Sequence, residues 1–378
     1  MAKRIKQEVV DGCVREEQEE YLSGNKGEWS EPYVLLKILG DGKLHIADKD
    51  LQKMSVFYPI VKVLRQEEEK LQYILSEDNS IVKIITETEE LDPIPVKDFQ
   101  KNAEIIYNAI ERETATTFEV EEVSHFFEKL KIKRLKAKSQ SKADITLVVH
   151  DLKTNLDSEV SFSIKSRLGK ASTLLNPSKD GTNFVFKIKT SKKLNVEEIN
   201  SIEGKAKIQN RVKKILDTGG RFSFIGMTNE IFEGNLILID SKFPELIAYM
   251  TYLYYSDNGS EINVLAEKAK ERDICNQGKY ENAYYEHNVK DFLTSIALGM
   301  VPGTKWSGKI DATGGYIIVR EDGEVLCYHI YNRNEFQEYL FNNTKLDTPS
   351  TSRHDFGKIY EINDEYFMKL NLQIRFEK

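Results

Sequence analysis

Residues 144–165 read DITLVVHDLKTNLDSEVSFSIK, two strand-like runs joined by a polar turn. Side chains alternate along a strand, so Asp144 shares one face of the first run with Thr146 and Val148. In the second run, Lys165 lies on the polar face, opposite a Val, a Phe and an Ile. The connection is rich in turn formers, which predicts a hairpin. We therefore expect Asp144 and Lys165 to meet on one side of a sheet.

A carboxylate beside a lysine suits metal-assisted phosphodiester chemistry. The carboxylate of Asp144 can hold Mg²⁺ against a phosphate oxygen, because hard cations prefer oxygen ligands. Lys165 can orient or deprotonate the attacking water and offset charge that develops on the phosphate. The pattern resembles that of PD-(D/E)XK nucleases, with Ser163 standing where Glu or Asp is usual. We interpret Asp144, Ser163 and Lys165 as catalytic candidates and Asp144 as a metal ligand.

Because serine supplies no negative charge, the metal site needs a second carboxylate. The upstream stretch 24–40, GNKGEWSEPYVLLKILG, predicts a helix with Ser30 as its N-cap and Pro32 in its first turn. Glu31 at the start of this helix is the candidate catalytic residue and second metal ligand, and Glu28 is the competing candidate. The spacing from Gly27 to Glu31 resembles that in the first core helix of several nucleases with this fold. Alone, such a glutamate can simply complement the helix dipole.

Several longer blocks extend the pattern over most of the chain. They include GNKGEWSEPYVLLKIL, KADITLVVHD, FSIKSRLGKASTLLN and ATGGYIIVREDGEVLCYHIYNRNEFQEYLF. Together they resemble the HpaII family of type II restriction endonucleases from about Gly24 to Phe376. The resemblance implies Mg²⁺-dependent cleavage of double-stranded DNA at a short palindrome. For the family's namesake this is CCGG, cut after the first C. It also implies a cognate DNA methyltransferase as genetic partner, since an unpaired nuclease would cut its host.

The resemblance implies an α/β (α+β) fold, with a PD-(D/E)XK restriction-endonuclease-like mixed sheet core flanked by helices. We expect residues 1–240 to form the catalytic core, including a small N-terminal antiparallel subdomain built from the strand-like runs of residues 43–88. Residues 241–378 are expected to form a C-terminal α+β region that recognises the DNA target. Locally, the pattern predicts helices over residues 1–23 and 120–135, and a strand over NLILID at 235–240.

Composition agrees with a nuclease of the cell interior. No apolar run approaches the ~20 residues needed to cross a bilayer, and the start lacks an apolar signal segment, so we expect a cytoplasmic protein without membrane contact. Cys13, Cys275 and Cys327 are scattered, which gives neither a disulfide framework nor a zinc site. No glycine pattern for ATP or dinucleotides is present, which argues against an ATP-driven or redox activity.

The net charge of −7 conceals a basic segment. Residues 129–193 contain 16 Lys and Arg against five Asp and Glu, so the rest of the chain carries −18. Since this segment encloses Asp144 and Lys165, we interpret it as a surface for DNA phosphates. The alternative is that EKLKIKRLKAKSQSK forms a solvated amphipathic helix and a flexible connection.

Two polar segments are candidates for DNA contact. In LDTPSTSRHDFGKIY, Arg353 could pair with guanine O6 and N7, which suits a GC-rich target. The alternative for this segment is a surface loop. The second segment, SRLGKASTLLNPSKDGTNF at 166–184, directly follows Lys165. Its Asn176 and Asn183 could instead hold the backbone of their own loop. The DNA-binding candidates are Arg167, Lys170, Ser172, Thr173, Asn176, Asn183, Ser352, Arg353 and His354.

Two other functions use the same residues. A structure-specific repair nuclease would share the catalytic core, and a catalytically degenerate DNA-binding regulator would explain Ser163. Intact Asp144 and Lys165 argue against the regulator, and the large C-terminal block argues against the repair nuclease. A homodimer is compatible with the sequence, which leaves the oligomeric state open.

Overall fold

The structure is a computed structural model that describes residues 2–10, 13–136, 143–178 and 181–377, with side chains from Tyr21 onward. It is a mixed α+β protein that divides into two compact units. The first unit comprises Met1–Lys170 and Asp311–Glu335, and the second comprises Ala171–Ile310 and Phe336–Lys378.

The strands and helices of the described residues are numbered here in chain order. The strands are β1 Ala2–Val10, β2 Cys13–Tyr21, β3 Ser23–Gly24, β4 Lys43–Ala47, β5 Lys53–Gln66, β6 Lys70–Leu75, β7 Ile81–Ile85, β8 Glu90–Pro95, β9 Phe118–Glu119, β10 Ile145–Asp151, β11 Leu156–Ser166, β12 Thr173–Leu175, β13 Asn183–Lys189, β14 Arg221–Met227, β15 Gly315–Val319, β16 Val325–His329, β17 Thr344–Leu346, β18 Ile359–Ile362, β19 Glu365–Asn371 and β20 Ile374–Phe376. The α-helices are α1 Lys26–Asp41, α2 Val96–Arg112, α3 Ser124–Lys129, α4 Val196–Asn200, α5 Lys207–Asp217, α6 Glu230–Ile237, α7 Phe243–Tyr255, α8 Ile262–Glu271, α9 Tyr284–Leu298, α10 Arg333–Asn342 and α11 Thr351–His354. Short 3₁₀ helices span Glu121–Val123, Gly278–Tyr280 and Ile330–Asn332.

A nine-stranded sheet in the order β10-β11-β15-β16-β4-β5-β6-β7-β8 organises the first unit. β10 and β11 form the predicted antiparallel hairpin, and β11 continues the sheet by pairing in parallel with β15. The long strand β5 pairs with β4 through its first half and with β10 through its second half. Strands β10, β11, β15, β16, β4 and β5 therefore close into a ring of hydrogen-bonded neighbours.

Helix α1 packs against this sheet and beside α2, and most of its length from Trp29 to Gly40 is buried. It begins earlier than predicted, because Asn25 is its N-cap and exchanges two hydrogen bonds with Glu28 in a capping box. The predicted N-cap role of Ser30 is wrong, since its hydroxyl donates to the Lys26 carbonyl inside the helix. The helix ends at Gly42, whose left-handed backbone suits glycine.

The second unit contains a three-stranded sheet, β12-β20-β17, and a four-stranded sheet, β14-β13-β19-β18. Helix α7 contacts both β14 and β19, and α8 contacts both α7 and α9. Helix α11 and strand β18 follow each other closely before β19 returns beside β13. The segments 172–183 and 350–356, both candidates for DNA contact, lie in this unit.

Local predictions succeeded where the pattern was strongly alternating and failed in three places. The runs within residues 43–88 are antiparallel strands, although they belong to the nine-stranded sheet. The backbone of the N-terminal residues forms the antiparallel pair β1–β2, so the helix predicted for residues 1–23 is wrong. Within 120–135 the α-helix spans only Ser124–Lys129. The strand predicted at 235–240 is wrong, because α6 runs through Ile237.

The predicted boundary near residue 240 lies inside the second unit, so the compact units do not coincide with the regions 1–240 and 241–378. In the described part of the chain, no helix is long and apolar enough to cross a membrane. Cys275 and Cys327 are buried free thiols, and the side chain of Cys13 lies outside the described residues.

Gly315 opens β15 with a φ of +102°, and a Cβ there would lie 2.0 Å from the carbonyl oxygen of Tyr328. We expect Gly315→Ala to destabilise the protein by at least ~1–3 kcal/mol, since the backbone and the clash are both unfavourable. Gly234→Ala, in the exposed face of α6 with no atom near the new methyl group, should stabilise by up to ~1 kcal/mol. Thermal and urea unfolding of both variants measure this difference. Equal stability of the two variants would contradict it.

Candidate active site

The hairpin β10–β11 of the nine-stranded sheet brings the predicted residues together. Asp144 immediately precedes β10, and its backbone N–H donates to the carbonyl of Phe162 at 2.8 Å. The register pairs Ile145 with Phe162, so Asp144 lies opposite the Ser163 position of β11. Lys165 follows two residues later on the same strand. The residues predicted from the alternating pattern are therefore neighbours.

Hydrogen bonds fix the carboxylate of Asp144. Its Oδ2 atom accepts from the hydroxyl of Ser163 at 3.0 Å and from the backbone N–H of Ile164 at 2.7 Å. Ser163 is 4% exposed, so this hydroxyl is held inside the sheet end. Within the described residues, both hydrogen bonds reach the same oxygen, which leaves the Oδ1 edge of Asp144 for a further ligand. Ser163 thus orients a carboxylate without adding a second one.

Lys165 is half-buried and lies beside charges of both signs. Burial lowers the pKa of Lys165 below that of an ordinary lysine. Asp144 and Glu31 oppose this shift with their negative charges, and the positive charge of Lys136 adds to it. The ammonium also lies 5.9 Å from the ring centroid of Tyr316 on β15. A lysine in this setting gives up its proton more readily than one in water.

The acidic residue that α1 contributes is Glu31 rather than Glu28. Glu31 is 8% exposed and lines a small pocket together with Asp144, Leu35 and Ile145. The carboxylate of Glu28 is occupied at the helix start, where its Oε2 accepts from the N–H of Asn25 at 2.9 Å. The two competing candidates therefore have separate structural settings, one facing the pocket and one closing the capping box.

Two basic residues that the sequence pattern did not single out lie near these carboxylates. Arg65, at the end of β5, lines it beside Glu31 and Asp144. Lys136 places its Nζ atom 3.8 Å from Oε1 of Glu31. The basic run around Lys136 was a signal for DNA contact in general, but no spacing in the sequence connects it or Arg65 with Glu31. Among the described residues, no group of three or more His, Cys, Asp or Glu forms a metal-binding cluster.

The DNA-binding candidates of the segment after Lys165 differ in their exposure. Lys170 and Asn176 are exposed, and Arg167, Ser172 and Thr173 are half-buried. Asn183 is fully buried, and its amide donates to the carbonyl of His354 at 3.0 Å. The prediction that Asn183 contacts DNA directly is therefore wrong, since its side chain serves the alternative role of holding a backbone segment.

A buried amide pair anchors the second candidate segment. Asn371 donates to Oδ1 of Asn183 at 2.7 Å and to the carbonyl of Ser178 at 3.0 Å. Arg211, 1% exposed, donates to the carbonyl of Gly357 at 2.7 Å. Polar groups buried this deeply have to be paired, so the bonds to His354 and Gly357 hold the end of α11 and the chain just after it.

Helix α11 presents two of its three candidates to solvent. Ser352 and Arg353 are exposed, and Ser350 caps the helix by accepting from the N–H of Arg353. His354 is buried, and this burial, aided by the charge of Arg353, lowers the pKa of its imidazole. Its side chain is therefore poorly placed for direct contact with DNA, in contrast to Arg353.

Comparison with known proteins identifies the family of this chain. The family model described as HpaII restriction endonuclease matches residues 25–376. The type II restriction enzyme HpaII of Haemophilus parainfluenzae is 45% identical over 359 residues, which covers 94% of this chain and 99% of the relative. No solved structure matches the chain. The chain therefore belongs to the HpaII restriction endonuclease family, and its activity is that of a site-specific type II deoxyribonuclease.

Proposed function

We propose that Asp144, Ser163, Lys165 and Glu31 form a PD-(D/E)XK-type active site that cleaves both strands of DNA at CCGG. The observation that carries this proposal is the shared pocket of Glu31 and Asp144, beside a lysine whose charge both carboxylates influence. The antiparallel hairpin β10–β11 within a mixed sheet suits a core of this type. Family membership disfavours the alternatives of a repair nuclease and a degenerate regulator.

The donor set fits Mg²⁺. Asp144 and Glu31 offer hard carboxylate oxygens at one pocket, and Mg²⁺ is commonly held by one or two carboxylates together with waters and substrate phosphates. A larger protein cluster is therefore not required. When bound, the cation supplies Lewis-acid polarisation of the phosphate and an acidified water. Asp144 and Glu31 are the residues proposed to hold it.

The remaining residues orient groups and balance charge. Ser163 keeps the Asp144 carboxylate turned by its hydrogen bond to Oδ2, so that Oδ1 faces the ligand. Lys165 Nζ is proposed to hold the attacking water, and its lowered pKa increases the fraction of neutral amine, which is the form that can accept a proton from that water. In its charged form the same atom offsets negative charge on the phosphate as the bond to water forms.

Target reading is proposed to lie mainly in residues 241–378, with Arg353 as the residue that reads guanine. Its exposed guanidinium projects from a helix whose C-terminal end is anchored by buried bonds, and rigid placement favours selective contact. Ser352 on the same helix is proposed to contact the backbone. The phosphate contacts in the other segment are proposed to come from Arg167, Lys170, Ser172, Thr173 and Asn176.

The proposed CCGG target is palindromic, and a two-fold symmetric protein suits such a site. We therefore propose a homodimer that acts in the cytoplasm on double-stranded DNA. A cognate DNA methyltransferase would protect the host's own sites. A plasmid digest with Mg²⁺ and with EDTA tests the whole proposal, because a restriction enzyme gives discrete bands only with the metal.

Substitution of the two strand residues should separate chemistry from binding. Lys165→Met and Asp144→Asn are expected to lower the cleavage rate by ~10²–10³ or more, since each removes an electrostatic contribution to the transition state. Both variants should still bind DNA in a mobility-shift assay. Near-normal cutting by either purified variant would rule out the assignment.

Three matched variants rank the contributors to the metal site. Glu31→Gln should raise the Mg²⁺ concentration for half-maximal cleavage far more than Ser163→Ala, because only Glu31 provides charge. Glu28→Gln is the control on the same helix, and it should leave the metal dependence unchanged while weakening the helix start by less than the ~1 kcal/mol of a lost N-cap. A larger effect for Ser163 than for Glu31 would assign the wrong helix to the metal.

Sequencing the ends of digested DNA of mixed composition tests the target. We expect ends at CCGG with a two-base 5′ overhang. Arg353→Ala should relax or abolish selectivity before it affects metal-dependent chemistry, since an arginine pair to guanine contributes ~1–3 kcal/mol of discrimination. Ends at another motif would refute the target and leave the nuclease assignment intact. Unchanged selectivity of Arg353→Ala would remove α11 from base reading.

A further inference from the structure

A buried ion pair lies beside the proposed metal pocket. Arg65 and Glu67 are 6% and 4% exposed, and Nε of Arg65 lies 2.7 Å from Oε1 of Glu67. Burying two charges is unfavourable unless their hydrogen-bonding groups find partners. Arg65 reaches such partners beyond Glu67, at the carbonyl oxygens of Arg134 and, at 3.4 Å, of Leu135. The pair therefore fastens the segment 134–135 to the end of β5.

Further contacts hold residues 130–135, the part of the chain just before Lys136. The hydroxyl of Tyr73 donates to the carbonyl of Leu130 at 2.8 Å. Ile132 and Leu135 are buried in the apolar core, and Leu135 approaches so close to Gly24 that a Cβ there would meet it at 2.5 Å. The backbone that leads into Lys136 is thus fixed by packing and by hydrogen bonds.

This anchoring places Lys136 over the proposed metal ligand. Its Nζ lies 3.8 Å from Oε1 of Glu31, while 59% of the side chain remains exposed. At this separation and exposure an ion pair is weak, typically ~0–1 kcal/mol, and it exchanges readily for another partner. The positive charge also acts on Lys165. Lys136 therefore belongs to the electrostatic environment of the catalytic pocket.

We propose that Lys136 exchanges partners during catalysis, screening Glu31 in the free enzyme and binding a DNA phosphate once a divalent cation occupies the pocket. The ammonium and the cation compete for one carboxylate and repel each other. Displacement of Lys136 toward the arriving phosphate gives it an anionic partner. Arg65, with Glu67, acts as a positioning residue for Lys136. This inference rests on the proposed role of Glu31 in metal binding.

The first experiment measures metal binding without DNA. Titration calorimetry with Mn²⁺, which takes the same oxygen ligands, should show binding to Lys136→Met that is ~2–5-fold tighter than to wild type, as expected from loss of a weak ion pair. Lys133→Met is the matched control. Lys133 has the same 59% exposure in the same basic run but pairs with Glu68, so Mn²⁺ affinity should not change. Unchanged or weaker Mn²⁺ binding by Lys136→Met would overturn the proposal.

The second experiment measures DNA binding with Mg²⁺ in the Lys165→Met background, where cleavage is blocked. Adding Lys136→Met should reduce the slope of log affinity against log salt by about 0.9, the value for one phosphate contact in duplex DNA. An unchanged slope would also overturn the proposal. Together, the two results distinguish partner exchange from a general effect on stability, because the same substitution strengthens metal binding and weakens DNA binding.

Arg65→Lys tests the positioning role, since lysine keeps the charge beside Glu67 and loses the planar fork. It should reproduce the Mn²⁺ and salt effects of Lys136→Met, and the double variant should show no further change. Additive effects would mean that Arg65 does not act through Lys136. Glu31→Gln separates this inference from the proposed function. If Glu31→Gln leaves Mn²⁺ binding unchanged, the metal assignment fails, and if it weakens binding while Lys136→Met has no effect, only the exchange fails.

Discussion

Two carboxylates, Asp144 and Glu31, and two ammonium groups, Lys165 and the exposed Lys136, lie close together, and compensating these charges is the constraint on which the proposed active site depends. Asp144 satisfies it through hydrogen bonds from Ser163 and Ile164. Glu31 satisfies it through the nearby charge of Lys136. Lys165 remains the least compensated, since burial lowers its pKa despite both carboxylates. A lysine whose pKa is lowered in this way is a candidate for a reactive group.

The sequence predicted the hairpin because its information is local. Alternation over Ile145–Asp151 and Leu156–Ser166 places the polar residues on one face without reference to any distant contact. Glu31 required more, since more than a hundred residues separate it from Asp144. Only the resemblance connected the two. The capping box that occupies the carboxylate of Glu28 could have been predicted from the sequence, because Asn25 stands three residues before Glu28.

The predictions that failed also have physical reasons. NLILID has the composition of a strand, but Asn229 accepts from the N–H of Phe232 and starts a helix that continues into the run as far as Ile237. The basic run after Lys129 has helical spacing, yet Lys131 adopts a left-handed backbone, and Arg65 donates to the carbonyls of Arg134 and Leu135. No local sequence pattern predicts these long-range hydrogen bonds. Asn183 looked like a DNA contact because short polar residues in a loop suit either a ligand or the backbone, and burial decides between them.

With Ser163 in place of a carboxylate, the rigidity of the proposed metal site depends on a different part of the structure. In the usual pattern both acidic residues belong to the strand pair, and the hairpin alone sets their separation. In the site proposed here the second carboxylate is Glu31 of α1, so its position depends on the packing of that helix. Trp29 stacks against Phe118 and Phe127, and its indole N–H donates to the Phe118 carbonyl at 3.0 Å. Since close-packed cores resist displacement, the apolar interior of the unit takes over a task that a single strand residue usually performs.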